Sequence, residues 1–224
     1  MTGPTEIVTA FAGERLVLLP ERALWWPRRR SLLVADVHLG KAASFRRNGL
    51  PVPAGTTDDN LARIDACLAR SGAERLICLG DLSHAASGLG PALDEHLRAW
   101  QEGHRELTIE LVHGNHDRHA GIPAGLEVRP LGESHAEPPF LLCHEPPSDT
   151  GPDPPVLAGH LHPGIVLRAA GDRLRLPCFA FADRIGLLPA FGAFTGLGEL
   201  PRDREWRAFP VAAGRVFEVS GQTG

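Results

Sequence analysis

Three continuous apolar runs mark the first half of the chain: SLLVA at 31–35, RLICL at 75–79 and LTIELV at 107–112. Runs of this length and β-branched content predict strands buried on both faces of a sheet. Between them, Leu61, Ile64, Ala66 and Leu68 recur at helical spacing over 57–71, and Gly72 supplies a stop. A second helix is expected over 92–102, behind Pro91. Ahead of the first run, residues 15–19 and 23–26 are short apolar stretches split by Pro20 and Glu21, a hairpin pattern. Beyond residue 112 the pattern turns to short strands at 140–143, 156–158, 165–169, 173–176, 179–182, 186–188 and 216–219. A Pro/Asp-rich loop, 145–155, joins the first two, and Ala170-Gly171-Asp172 signals a hairpin turn. A βαβαβ series followed by mostly β predicts an α/β fold, two sheets at the centre with helices outside, as one domain over residues 1–224.

Composition narrows the class. Hydrophobic residues are 43% and charged residues 22% of 224, a globular balance that excludes a disordered chain. No segment is apolar for long enough to cross a membrane, and the first ten residues carry no leader pattern. Cys67, Cys78, Cys143 and Cys178 show no CxxC spacing and sit in apolar contexts, so buried, reduced thiols and a cytoplasmic location are expected. The net charge of −4 disfavours a uniformly basic surface, yet residues 1–50 hold 8 Lys/Arg against 4 Asp/Glu. Within them lie Arg28-Arg29-Arg30, beside Trp25 and Trp26, and Lys41, Arg46 and Arg47. Each cluster reads either as a solvated face or as a cationic rim for a polyanion. Strand alternation allows at most one of the two tryptophans to face outward.

The chemistry lies at the strand ends. Asp36-x-His38 follows the first run, Gly80-Asp81 the second and Gly114-Asn115-His116-Asp117 the third. His144 follows FLLC, and Gly159-His160-x-His162 follows VLA. Side chains two apart on extended backbone lie on one side, so each such pair is expected to reach a single ion. Oxygen and imidazole donors without thiolate suit Mn²⁺, Fe or Zn²⁺ better than an all-oxygen cage. A lone Asp-x-His in a chain with 11 histidines would mean little. Five such clusters in sequence, each at the end of an apolar run, are poorly explained by chance.

This series resembles the motif signature of the calcineurin-like metallophosphoesterase superfamily: D-x-H, G-D, G-N-H-D, H and G-H-x-H, spanning residues 36–162. The flanking residues, LWWP at 24–27, ADVHLGK at 35–41, GDLSH at 80–84, CHEP at 143–146 and GHLHP at 159–163, are similar to bacterial ligase-associated DNA damage response endonucleases. The resemblance implies a four-layer sandwich of two mixed β-sheets flanked by helices. It implies that Asp36, His38 and His162 hold one divalent metal, most simply Mn²⁺, that Asn115, His144 and His160 hold a second, and that Asp81 bridges both. His116 would be catalytic, with Asp117 orienting it. The reaction would be phosphodiester cleavage by in-line attack of metal-bound hydroxide, with DNA as substrate and a helicase and ATP-dependent DNA ligase as pathway partners.

Lys41 is the only lysine among 23 basic residues and lies three past His38; His84 lies three past Asp81. Both are candidate substrate contacts, with Arg46 and Arg47 behind them. A small-molecule phosphoesterase would need a closed cap, for which 45–56 and 83–90 are the obvious material. A protein-binding scaffold on this fold would not need the complete donor set.

Overall fold

The computed structural model describes residues 5–52, 55–148, 154–169 and 172–219. Among these, strands β1 (Ile7–Phe11), β2 (Glu14–Leu18), β3 (Leu24–Trp26), β4 (Ser31–Val34), β5 (Arg75–Leu79), β6 (Thr108–Val112) and β7 (Val128–Gly132) form a first sheet in sequence order. The β1–β4 pairings are antiparallel; β4 through β7 are parallel. The second sheet contains β8 (Ser134–Glu137), β9 (Phe140–Cys143), β10 (Val156–Ala158), β11 (Pro163–Ala169), β12 (Asp172–Ala182), β13 (Ile185–Leu187), β14 (Gly198–Glu199), β15 (Arg207–Ala212) and β16 (Arg215–Val216). Its order along the main path is β14-β11-β12-β13-β10-β9-β8, with β15 also on β12. β10 pairs in parallel with both β9 and β13.

The two sheets face each other across one core. Leu16, Leu18, Leu24, Trp26, Leu33, Ile77 and Leu79 of the first meet Phe140, Leu142, Phe179, Phe181 and Phe209 of the second. Phe140 lies 4.9 Å from Trp26 and 5.6 Å from Phe11. Alternate residues of the first sheet point the other way, so β4 to β6 are largely apolar on both faces, as their runs predict, with the buried Glu110 of β6 an exception. That outer face (Leu32, Val34, Leu76, Cys78, Leu111) carries α2 (Thr56–Ser71) and α3 (Pro91–Glu102) through Leu61, Ile64, Cys67 and Leu97. The outer face of the second sheet is covered differently: irregular chain bearing Leu161, Leu200 and Trp206 lies over Val156, Ala158, Ile185 and Leu187.

Most expected elements form within a residue or two of their expected bounds. β12 unites two expected strands, because Pro177 is placed opposite Gly164 and the ladder continues past it. The last expected strand shortens to Arg215–Val216. The Ala170-Gly171 part of the expected turn lies outside the described residues. Strands β1, β7, β8, β14 and β15 are additions, and so are helices α1 (Lys41–Arg47) and α4 (Asn115–Ala120). At seven and six residues they are too short to display a helical period in sequence.

The first Arg run lies away from the strand ends that carry the chemistry. Arg28–Arg30 precede β4, whereas Asp36 follows it. Arg28 pairs with Glu14, Arg29 with Glu137 and Arg30 with Glu74. Trp26 is fully buried and donates Nε1–H to Glu14 at 2.7 Å, while Trp25 packs half-buried toward the helix side. Neither offers a free face beside the site. All four cysteines are free and buried.

Candidate metal centre

The C-terminal ends of β4, β5, β6, β9 and β10 converge at one end of the sandwich, where open α/β folds place their ligands. Each strand delivers its cluster there. The backbone doing so is not extended, however, as strand alternation had suggested. Asp36, His38, Asp81, His160 and His162 have φ of 56°, 51°, 52°, 66° and 45°. They are five of the ten described non-glycine residues in the left-handed region. Each such conformation costs about 1–3 kcal/mol, and surrounding structure must hold it. Here the holding bonds are visible: the Asp36 amide donates to Gly80 O (3.1 Å), His38 to Asp81 O (2.9 Å) and Leu39 to Leu82 O (2.7 Å).

Two groups of donors meet around one carboxylate. Asp36, His38 and His162 place ligand atoms within 4.8 Å of one another. Asp36 Oδ1 is 3.2 Å from His162 Nε2, and Asp36 Oδ2 accepts the His160 amide at 3.1 Å. In the second group, His144 Nε2 is 3.1 Å from both Asn115 Oδ1 and His160 Nδ1. Asp81 Oδ2 lies between, 3.4 Å from His144 Nε2, 3.9 Å from His38 Nε2 and 4.0 Å from His116 Nε2. Its other oxygen accepts the His116 amide at 2.9 Å.

The donor chemistry fits divalent cations. His144 Nδ1–H donates to Leu79 O at 3.0 Å, so a neutral His144 turns the lone pair of Nε2 toward the Asn115 carbonyl oxygen. Two acceptors facing each other at that distance suit a shared cation better than a hydrogen bond. Asp36 Oδ1 is buried and accepts no hydrogen bond, despite His162 nearby. Burial pushes His38 down to about 2, helped by the Lys41 charge, which keeps its nitrogens available as neutral donors. Burial raises Asp81, but a protonated His144, donating Nε2–H and adding its charge, outweighs it together with the His116 amide and holds the carboxyl at about 2; a cation between the two groups takes the place of that proton. Cys143, next to His144, is pushed by burial up to about 12, so it offers no thiolate.

Close packing explains two of the motif glycines. A Cβ on Gly80 would stand 2.2 Å from His144 Nδ1, and one on Gly114 would stand 2.2 Å from Asp81 Oδ1.

His116 sits on α4 with its side chain 37% exposed. Its Nδ1 pairs with His84 O at 2.6 Å. The Asp117 carboxylate, expected to orient that ring, turns elsewhere: it accepts the amides of Ser83 (2.9 Å) and Gly114 (3.0 Å). Asp117 is the third residue of α4, so its side chain folds back on the helix start and cannot also reach the neighbouring imidazole. The His84 ring stacks on His116 at 5.0 Å and meets His38 edge-on at 5.2 Å. Burial, Lys41 and His116 push His84 down to about 4. Lys41, half-buried, feels both Asp36 and Asp81, and burial lowers it against their pull. Arg46 and Arg47 stand at the far end of α1, exposed, and donate to Val52 O and Ser87 O. The structure therefore brings Lys41 and His84 to the donor groups and leaves Arg46 and Arg47 on the flank.

Sequence reasoning missed the groups that set the rings. Leu79 O holds His144, His84 O holds His116, and Gly196 O accepts His162 Nδ1–H at 3.2 Å. These are main-chain carbonyls, for which no residue type is a signal.

Comparison with known proteins agrees with this geometry. The Pseudomonas putida nuclease MPE superposes with a TM-score of 0.83 at 42% identity, covering 96% of this chain and 100% of that one. The phosphoesterase YfcE from E. coli (TM-score 0.37, 14% identity, 84% of this chain and 97% of that one) and Vps29 from Entamoeba histolytica (0.36, 14%, 87% and 99%) are too distant to carry weight. No family model and no curated protein matches. On the 42% identity over nearly the whole chain and the two-sheet sandwich, the chain belongs to the calcineurin-like metallophosphoesterases, a superfamily of metal-dependent phosphoester hydrolases.

Proposed function

We propose that this enzyme is a Mn²⁺-dependent DNA endonuclease that cuts single-stranded or flap DNA during repair, acting as one domain over residues 1–224. The observation that carries the reading is the Asp81 carboxylate, set between Asp36/His38/His162 on one side and Asn115/His144/His160 on the other. Similarity to a solved protein described as a nuclease supports a nucleic-acid substrate. The exposure of Asn115 and His116 supports a polymer over a small molecule, because a strand can reach the site from the side. The expected cap segments favour the same reading: of 45–56, residues 45–47 end α1, 48–52 follow it and 53–54 lie outside the described residues, and Ser87 bonds Ser44 of that helix at 2.8 Å, so the two segments form a wall. A helicase and an ATP-dependent ligase are proposed as pathway partners on the resemblance of the flanking motifs.

In this reading Asp36, His38 and His162 hold one ion, Asn115, His144 and His160 the other, and Asp81 both. The two ions supply a nucleophile at neutral pH and neutralise charge on the phosphoryl oxygens. The rest falls to the chain. Because a carbonyl only accepts, His116 Nδ1 carries the proton given to His84 O, and Nε2 faces the site. His116 therefore donates to a phosphate or departing oxygen from Nε2 only as the imidazolium, and regains that proton between turnovers. Neutral Asn115 leaves the site more positive than a carboxylate would. Lys41 adds a single cation on the α1 side. Asp117 is a positioning residue, acting through the Ser83 amide next to the His84 carbonyl.

Purified protein with Mn²⁺ should nick circular single-stranded DNA, and His116→Ala should lose the activity while retaining metal. Intact DNA alongside hydrolysis of mononucleotide or lipid diesters would overturn the nuclease reading.

A further inference from the structure

Residues 191–197, the later part of the 188–197 connection from β13 to β14, run along the edge of the first donor group. The Phe191 and Gly192 amides donate to Ala35 O (2.8 Å) and Asp36 O (3.0 Å). At the other end, Gly196 O takes the His162 Nδ1 proton at 3.2 Å. Thr195 Oγ1 closes the turn on Gly192 O at 3.1 Å. The chain is thus tied to two metal-ligand candidates, Asp36 and His162, and what it holds between the ties is Phe194.

Phe194 is 54% exposed, with φ at 57°. The non-ligand, non-glycine residues of positive φ all sit in tight turns or at turn ends, Phe194 in the one that Thr195 closes on Gly192. Ala12, Arg22 and Ala213 lie in turns between successive strands, and Arg30 ends a short 3-10 turn. Phe194 alone among the described residues combines left-handed backbone with a large exposed aromatic ring. Such a position favours Gly, Asn or Asp. Strain at a functional site is the recurrent setting for such an outlier. Two residues of chain span at most about 7 Å, so the Phe194 backbone lies within that reach of both ties. That is the scale separating a nucleotide's phosphate from its own or the neighbouring base.

We propose that Phe194 is a nucleobase-stacking platform that seats one unpaired base of a polynucleotide whose phosphate is held beside Asp36 and His162. This rests on the nucleic-acid reading above and adds a subsite to it. Every base has a π-face, so the platform favours unpaired strands without selecting sequence. Paired bases are stacked already and cannot reach it, which makes the site a discriminator for single-stranded or flap DNA.

The test uses the Mn²⁺-loaded protein and a short labelled single strand with phosphorothioate linkages, followed by fluorescence anisotropy, alongside an abasic strand of equal length. Phe194→Ala should weaken binding of the base-bearing strand roughly 5- to 100-fold. Phe194→Trp should restore it, and on the abasic strand wild type and Phe194→Ala should coincide. Phe194→Gly, which relieves the backbone, should melt no lower than wild type and still lose affinity. Equal affinity of wild type and Phe194→Ala for the base-bearing strand overturns the proposal. So does an equal loss on both strands, or wild type that binds neither. DNA binding that depends on Phe194 without cleavage of ordinary DNA would sustain the subsite and remove the nuclease reading. Cleavage without that dependence would do the reverse.

Discussion

At the scale of the residue, the site is an exercise in close approach. Gly114 has the carboxylate and amide of Asp81 where its side chain would be, at 2.2 and 2.4 Å. The second contact is backbone and cannot step aside. Gly114→Ala should cost about 1–3 kcal/mol in urea unfolding and reduce bound metal below two ions. A variant of wild-type stability with two ions would show that Asp81 tolerates the shift. Asp81→Ala tests the shared ligand more directly: metal analysis should find neither ion held tightly, and a full complement would sink the bridging role. The cysteines make a separate prediction. Burial pushes Cys67, Cys143 and Cys178 up to about 12 and raises Cys78 well above the usual thiol value. Thiolate forms only as pH rises toward such values, so at pH 8 a thiol reagent should leave the native protein unlabelled and react with all four after denaturation. Rapid labelling of any one in the native state would contradict its placement.

At the scale of the element, short pieces do the positioning that long ones make possible. α4 has six residues and presents His116, but the loop before α3 decides where that ring points. Asp117 joins the two by accepting one amide from each. Asp117→Ala would leave two buried amides unpaired, each worth about 1–3 kcal/mol. The loss should loosen the His84 carbonyl and lower kcat for phosphodiester cleavage more than it raises KM, with partial rescue by Asp117→Asn, which keeps one acceptor. Unchanged kcat in Asp117→Ala would show that His116 is held without it. The long elements were readable because the hydrophobic effect marks them: 31–35, 75–79 and 107–112 sit between two layers and are apolar but for Ser31, Arg75, Thr108 and Glu110. α1 and α4 bury too few side chains for any period to emerge, and the Asp36 and His160 turns obey hydrogen bonds that their amides donate to Gly80 O and the Asp36 carboxylate, acceptors remote in sequence.

At the scale of the whole molecule, function and stability sit at opposite ends of the sandwich. Arg75, at the start of β5, bonds Glu110 of its own sheet at 2.6 Å and Glu137 of the other at 3.0 Å. Arg29 reaches Glu137 as well, and Arg129 also pairs with the fully buried Glu110. These ties close the sandwich at the end where β4, β5 and β6 begin; the metal donors lie where those strands finish. Arg75→Met should therefore cost about 3 kcal/mol in unfolding, because it strips a partner from a buried carboxylate. Metal content and phosphodiester cleavage at low temperature should stay near wild type, and a loss of metal at full stability would refute this separation. The same arrangement answers the question the charge distribution raised. The Arg28–Arg30 run is engaged in ion pairs on the far side of β4 from Asp36, so of the basic N-terminal residues it is Lys41 that meets the site.

What the sequence determined by itself was the sheet-forming core, the order of its strands along the chain and the inventory of donors at their ends. Each follows from a local rule: apolar runs must be buried, and a donor placed just past a buried strand emerges at the sheet's edge. What only the tertiary structure decided was how those donors meet. Asp81 between two groups, left-handed backbone at Asp36, His38, His160 and His162, carbonyls that fix His116, His144 and His162, and Phe194 exposed on the rim all arise from contacts between segments far apart in the chain. A backbone carbonyl has no residue type, and a strained φ is held by its neighbours in space. Neither leaves a mark that sequence pattern can show.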